Sequence, residues 1–361
     1  MADLPVIVVE DDPFTRLIPL VLDPNASEER RAAFADFMST DEPDFAGWCA
    51  RVRKGSAALY PAEVRLVTSE EEMRANLKDC VALVTESLRV TRDDLTAAPR
   101  LKVLQKFGSG LRNVDAAACA DKGVKLLTLR RHANVSCAEH AFGLMLMLAR
   151  KLDELDGLVT VERIKARQGA FKPFQREHTP GGNYARLGGT RQLNGATIGI
   201  IGLGEIGKEI AIRARAFAMN VLYHQRTRAP ESEERELGAR HVPLKTLLGE
   251  SDFILPQLPT LPSTRDFLGR AEFAQVKRGA YLVNVSNAAV VNRDALIEAL
   301  RQGLLGGAAL DVHYKEPVAE DDELLAFDNV ILTPRMAGSP RFNGLNDFEE
   351  MITKLAQEFG K

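Results

Sequence analysis

Residues 196–217 read ATIGIIGLGEIGKEIAIRARAF. An apolar run enters a turn that carries Gly202, Gly204 and Gly207, and a stretch with apolar residues at helical spacing follows. A Gly-x-Gly-x-x-Gly set between a strand and a helix is the pattern of a dinucleotide-binding turn. Each glycine has its own task. Gly202 permits the tight turn, Gly204 lets the main chain approach a pyrophosphate, and Gly207 lets the helix lie close to the sheet. The helix N-terminus then faces the phosphates. A second strand, NVLYHQR (220–226), ends about twenty residues further on, the spacing this motif requires. An acid at that strand end would accept hydrogen bonds from the adenosine ribose. The chain has instead His224, Gln225, Arg226 and Arg228. Arginines suit a 2′-phosphate, so NADP(H) is favoured over NAD(H). The alternative is that Arg226 and Arg228 form a solvated surface run.

Outward from this motif the chain alternates strand and helix. After 196–202 and 220–226, further strands are expected at 251–259, 280–286, 306–312 and 329–334. An earlier block reads as strands at 6–10, 63–69, 80–87, 101–108 and 124–129, with helices between them. One of these, SEEEMRANL (69–77), opens on a capping-box pattern at Ser69. Alternation of this kind predicts α/β architecture with parallel sheets. The segment 137–155 reads as a long apolar helix, residues 168–194 as a Gly-, Pro- and Arg-rich loop, and 346–359 as an amphipathic helix. That last helix has no sheet of its own and is expected to pack back on the first domain.

The bulk properties narrow the function. The chain has 361 residues, enough for two domains, and a net charge of −3. Nothing in that charge points to nucleic acid or an anionic membrane as partner. The longest apolar run, 141–149, is far too short to cross a bilayer. The N-terminal stretch has no basic region followed by a cleavable apolar segment. Cys49, Cys80, Cys119 and Cys137 lack metal-like spacing and read as buried thiols. A cytoplasmic protein acting on a small molecule is expected.

Several blocks together resemble the D-isomer-specific 2-hydroxyacid dehydrogenases. They are LKVLQKFGSGLRNVDAAACADKGVKLL (101–127), the glycine turn itself, LPTLPSTRDFLG, the long stretch from VKRGAYLVNVSNAAVV to GGAALDVHYKEP, and NVILTPRMAGSP (329–340). The resemblance implies a Rossmann dinucleotide-binding domain, residues 136–336, inserted into a flavodoxin-like substrate domain formed by residues 1–135 and 337–361. It implies an active site in the cleft between the two, and a homodimer. It further implies that Glu205 and Ile206 present backbone amides to the pyrophosphate. Pro259, Asn284, Val285, Ser286 and Asp311 would line the nicotinamide and adenosine, Asp311 facing the carboxamide. Gly108, Ser109 and Gly110 would bind an oxygen or anion of the substrate through their amides.

The family's chemistry uses an Arg that binds the substrate carboxylate, a Glu before a Pro, and a His after Thr-Pro that transfers the proton. Hydride transfer to a carbonyl builds negative charge on oxygen, and a positioned donor with a pKa near neutrality relieves it. Here Glu316 is present, but Asn287 stands at the Arg position and Arg335 at the His position. Asn287 offers no cationic fork. Arg335 keeps its proton and cannot act as a general acid or base. Replacement proton carriers are Glu316, His132 in RRHANVS, and His313, which either faces the cleft or packs away from it. His178 and Tyr184 fall in the long loop, His140 reads as a hydrogen-bonded core residue and His241 as a surface one. Three readings follow: an oxidoreductase on something other than a simple 2-hydroxy acid, a redox-neutral lyase that uses bound nicotinamide, or a non-catalytic nucleotide sensor.

Overall fold

In the computed structural model, which describes residues 4–259 and 261–360, the run VIVVE becomes β1 (Val6–Glu10), buried along its whole length. It lies inside a parallel sheet with β2 (Glu63–Val67), β3 (Cys80–Thr85), β4 (Val103–Lys106) and β5 (Lys125–Leu127), in the order β2-β1-β3-β4-β5. Strands covered by helices on both faces are apolar and β-branched throughout, which is why VIVVE and CVALVT do not alternate. The order 2-1-3-4-5 is that of a flavodoxin-like doubly wound sheet. Residues up to Ser136 together with those from Gly338 onward form this first unit, and Cys137–Ala337 the second.

The helix Phe342–Gln357 belongs to the first unit. Its Leu345, Phe348, Met351, Ile352 and Leu355 are buried in one cluster with Ile7, Val9 and Trp48. The Phe348 and Trp48 rings lie 5.6 Å apart. Burying side chains of this size contributes roughly 1.5–3 kcal/mol each. The polar residue on that face, Asp347, is also buried, and it accepts from the backbone N–H of His132 at 2.6 Å.

The second unit holds β6 (Thr197–Ile201), β7 (Asn220–His224), β8 (Ala239–His241), β9 (Phe253–Pro256), β10 (Ala280–Asn284), β11 (Leu305–Leu310) and β12 (Val330–Leu332). The order β12-β11-β10-β9-β6-β7-β8 is the Rossmann order with one strand added at the far edge. Chain direction across the sheet reverses between β6 and β9, and ligands bind beyond the strand ends at such a switch point. The helix His132–Arg150 buries Ala138, Ala141, Met145 and Leu148 in a cluster with Ile200 and Ala309.

Some expected boundaries shift. The strand expected over 251–259 stops at Pro256, where the following Leu258-Pro259 cannot continue a ladder. The three-residue β8 was too short to be legible. Ser69 does cap its helix by accepting from Glu72 N at 3.2 Å. The Glu72 carboxylate turns to Thr68 instead, so the reciprocal half of the capping box is missing.

The glycine turn shows three different constraints. Gly202 has φ +101°, and a Cβ there would lie 2.4 Å from the Gln257 carbonyl oxygen. A Cβ on Gly207 would lie 2.4 Å from the Gly202 carbonyl oxygen, whereas one on Gly204 would meet open space. Gly202→Ala and Gly207→Ala should therefore each destabilise the second unit by roughly 1–3 kcal/mol. Gly204→Val should leave the thermal midpoint unchanged. Differential scanning calorimetry of the three variants checks this.

Candidate active site

β6 delivers the chain into the glycine turn. Gly202 N–H bonds to the His224 carbonyl at 2.9 Å and Gln257 N–H to the Ile201 carbonyl at 2.7 Å, which fixes the turn between its neighbours on both sides. The helix Glu205–Ala216 starts from Gly204 with no side chain capping it. Its first amides, at Glu205, Ile206 and Gly207, are therefore placed where an anion would satisfy them. The space at Gly204 fits this, because no protein atom claims it. So does Gln257: its side-chain amide is buried, yet among the described residues neither its nitrogen nor its oxygen has a hydrogen-bond partner. A buried polar group left unpaired costs roughly 1–3 kcal/mol, which a polar ligand would offset. The residues present fit a dinucleotide. Sequence reasoning passed over Gln257 and took Pro259 alone from that loop; the signal was a polar residue directly after a fully apolar strand.

At the end of β7 the four polar residues divide. Gln225 turns its side-chain oxygen onto Leu203 N–H at 3.2 Å and braces the glycine turn. Arg228 forms a two-pronged pair with Glu234 at 2.9 and 2.7 Å, and the Tyr223 hydroxyl donates to the same carboxylate at 2.6 Å. The Arg228 guanidinium, with Tyr223 behind it, holds the Glu234 carboxyl down at about 2. The charge on Arg228 is thereby compensated. Arg226 is exposed and forms no ion pair among the described residues. His224 and His241 bond through their rings to the carbonyls of Val242 and Gln225 at 3.0 and 3.2 Å. His241 is thus part of the packing around Tyr223, a correction to its expected place at the surface.

The carboxyl ends of β10, β11 and β12 border a cavity of about 450 Å³ lined by Asn287, Glu316, Arg335, His313, Arg293 and Arg265. Asn284, at the end of β10, is buried and knits the turn: its oxygen accepts from Ser286 N–H at 3.0 Å and its nitrogen donates to the Asn287 carbonyl at 2.8 Å. Val285 is buried beside it, and the Ser286 hydroxyl donates to the Pro256 carbonyl at 2.8 Å. Pro259 is exposed, and its carbonyl accepts from the Thr264 hydroxyl at 2.6 Å. Asn287 accepts from Ala289 N–H at 2.8 Å, so its side-chain oxygen serves a turn.

Past β12 the chain bends through Arg335, which adopts φ +57°. The loop is held by Asp311. One carboxylate oxygen of this buried residue accepts from the Thr333 hydroxyl at 2.6 Å and from Met336 N–H at 2.7 Å, the other from Ala337 N–H at 2.7 Å. His140 Nε2 lies 3.3 Å from the same group and 3.1 Å from the Thr333 hydroxyl. Burial pushes Asp311 up, but His140, Thr333 and the two amides outweigh it and keep the carboxyl low. On this frame Arg335 Nη1 meets Glu316 Oε2 at 2.6 Å. Burial raises Glu316, while Arg335 and the His313 N–H lower it further, so it stays ionised at neutral pH.

The remaining candidates belong to the first unit. Gly108, after β4, has φ +139° and its carbonyl accepts from Leu129 N–H at 2.9 Å, with Ser109 and Gly110 exposed beyond it. His132 Nδ1 lies 2.6 Å from Asp347 Oδ1. Sequence reasoning missed a further group here. Buried Lys106 donates to the Glu86 carbonyl, and burial pushes the Glu86 carboxyl up despite the charges of Lys106 and Arg131.

This geometry has counterparts in known proteins. A family model described as "D-isomer specific 2-hydroxyacid dehydrogenase, NAD binding domain" matches residues 142–337. A glyoxylate reductase of Thermococcus litoralis is 35% identical over 281 residues, 78% of this chain and 80% of that protein. Among solved structures, the PH0520 protein of Pyrococcus horikoshii is 25% identical with a TM-score of 0.59, covering 97% of this chain and 91% of the other. The D-mandelate dehydrogenase of Rhodotorula graminis, 24% identical with a TM-score of 0.56 over 98% of this chain and 93% of its own, shares the fold. With the glycine turn, the strand order and these matches in agreement, the chain belongs to the D-isomer specific 2-hydroxyacid dehydrogenase family.

Proposed function

We propose that this member of the family is an NADP(H)-dependent oxidoreductase whose alcohol or ketone substrate is not a simple 2-hydroxy acid. The observation that carries the reading is the Arg335–Glu316 ion pair, 2.6 Å long, in the cavity where the family places a proton-transferring His. The cofactor half of the unit is intact, so the departure is confined to the substrate's chemistry. In this reading residues 136–336 form the cofactor domain, residues 1–135 and 337–361 the substrate domain, and the protein works as a homodimer.

The nicotinamide, when bound, supplies or accepts the hydride. The chain's own residues do the rest. The amides of Glu205, Ile206 and Gly207 and the open side of Gly204 hold the pyrophosphate. Arg226 offers its uncompensated charge to a 2′-phosphate. Arg335 spends one N–H on Glu316 and presents further donors of its planar fork, which suit a carbonyl oxygen gaining charge. It orients and stabilises but transfers no proton. Asn287, engaged in a turn, supplies no guanidinium of its own at the position where the family grips the substrate carboxylate. The loss of the family's His at position 335 motivates a redox-neutral, lyase-type reaction as the second reading. That reaction would form product without net change in cofactor absorbance.

Three measurements test this. Arg226→Ala should weaken NADPH binding roughly 10- to 100-fold, the loss of one charge-assisted contact, and leave NADH binding unchanged. Arg228→Ala should change neither by more than about 3-fold, because Glu234 already compensates it. Fluorescence titration reads both, and equal NADPH and NADH affinities in the wild type would remove the cofactor preference. Gly204→Val should impair both cofactors while leaving the fold intact. Finally, the double variant Asn287→Arg with Arg335→His should raise kcat/KM for glyoxylate at least about 10-fold. His tolerates the positive φ at position 335 better than most side chains. A double variant no better than wild type on glyoxylate would overturn the assignment of these two positions.

A further inference from the structure

We propose that His313 is the proton-transfer residue of this site, its tautomer fixed by the carbonyl of Thr333. The proposal deepens the oxidoreductase reading above and rests on it.

The other groups facing the cavity do not serve. Arg335, Arg265 and Arg293 do not release protons in water. Glu316 is held ionised by Arg335 and carries no proton to give at neutral pH. Asp322, which pairs with Arg293 at 2.9 Å, is likewise held low. Asp266 accepts from Asn292 at 3.1 Å, and the Tyr314 hydroxyl is turned onto the Val291 carbonyl at 2.9 Å. His313 is the imidazole among the lining residues.

Its ring is oriented. His313 Nε2 lies 2.8 Å from the Thr333 carbonyl oxygen. A carbonyl only accepts, so Nε2 carries the hydrogen and the lone pair of the neutral ring sits on Nδ1. Nδ1 has no hydrogen-bond partner among the described residues. The backbone N–H of His313 donates to Glu316 Oε1 at 3.2 Å, which ties the residue to a carboxylate whose charge complements an imidazolium. The residue stands just past the carboxyl end of β11, and Thr333 stands just past that of β12. This is the sheet edge at which the glycine turn also opens. An imidazole with one nitrogen anchored and the other available is the arrangement general acid–base catalysis needs.

The step balances. In the reductive direction a bound dihydronicotinamide would supply the hydride to the substrate carbonyl carbon, and the carbon–oxygen π pair would move onto oxygen. That oxygen takes the proton from Nδ1 of the His313 imidazolium. Neutral imidazole remains, still donating from Nε2 to Thr333. Oxidation of the alcohol runs the same path backward, with Nδ1 as base.

The competing role is structural, a staple between the ends of β11 and β12. His313→Gln separates the two, because its amide nitrogen can keep the bond to Thr333 while losing the capacity to shuttle a proton. The experiment uses the full chain in two measurements. With nitrogen-15-labelled histidine, the ring signal absent from His313→Gln should report the Nε2–H tautomer, with Nδ1 unprotonated in the neutral ring. An Nδ1–H tautomer overturns the proposal. With NADPH and a panel of aryl and neutral ketones, His313→Gln should lower kcat at least about 100-fold and flatten its pH dependence, with NADPH affinity unchanged. If the variant keeps the wild-type kcat and pH profile, His313 is a staple and this proposal alone falls. If the wild type binds NADPH but reduces nothing, the oxidoreductase reading falls, and this proposal falls with it.

Discussion

The carboxylate of Asp311 fixes the geometry on which the rest of the site depends. It is 1% exposed and would cost several kcal/mol to bury unpaired. It is offset by the Thr333 hydroxyl, the amides of Met336 and Ala337, and His140. Those donors come from the long apolar helix and from both ends of the bend after β12. A single charge therefore dictates where the bend lies, and with it the left-handed backbone at Arg335 and the carbonyl of Thr333. Arg335 and His313 take their places from that loop. The chain could change the residue at 335 without losing the frame, since none of the four bonds to Asp311 involves the Arg335 side chain.

This separation explains what could be read from the amino acids alone. Backbone-determined features were legible. A Cβ at Gly202 or Gly207 would strike a carbonyl, whereas one at Gly204 would meet open space, so the pattern carries its physics in three letters. That both sheets are parallel follows from strand–helix alternation, since parallel neighbours require crossovers, whereas their orders do not follow from it. Side-chain roles set by long-range partners were not legible. Arg226 and Arg228 stand two positions apart and look alike in the sequence. Only Glu234, brought in by the following helix with Tyr223 beneath it, compensates one and leaves the other. His241 looked superficial because nothing local says that its ring packs against Tyr223. Asn287 could be read as a missing guanidinium, but not as a cap for the turn that follows it.

The substrate side of the protein shows the same division. The proposed exchange of two reacting side chains beside Glu316 would change what that carboxylate does. Beside a His, a Glu raises basicity. Beside Arg335 it becomes half of an ion pair, and its own proton is out of reach near neutrality. The ring of His313, anchored nearby on the Thr333 carbonyl, is the group we propose for the proton instead.

The discontinuity of the first unit has a consequence for synthesis. Its five strands lie in residues 6–127, yet the apolar face that closes their core, from Leu345 to Leu355, is made only after the whole of the second unit. Rossmann residues 137–337 are contiguous and can complete their fold while the chain is still emerging. The earlier sheet must wait with Ile7, Val9 and Trp48 uncovered until the helix that begins at Phe342 has emerged. A premature stop before residue 342 would leave a nucleotide-binding unit capable of folding beside a sheet that never closes. Such a nascent chain is a natural client for chaperones, and its exposure ends only with the arrival of Phe348.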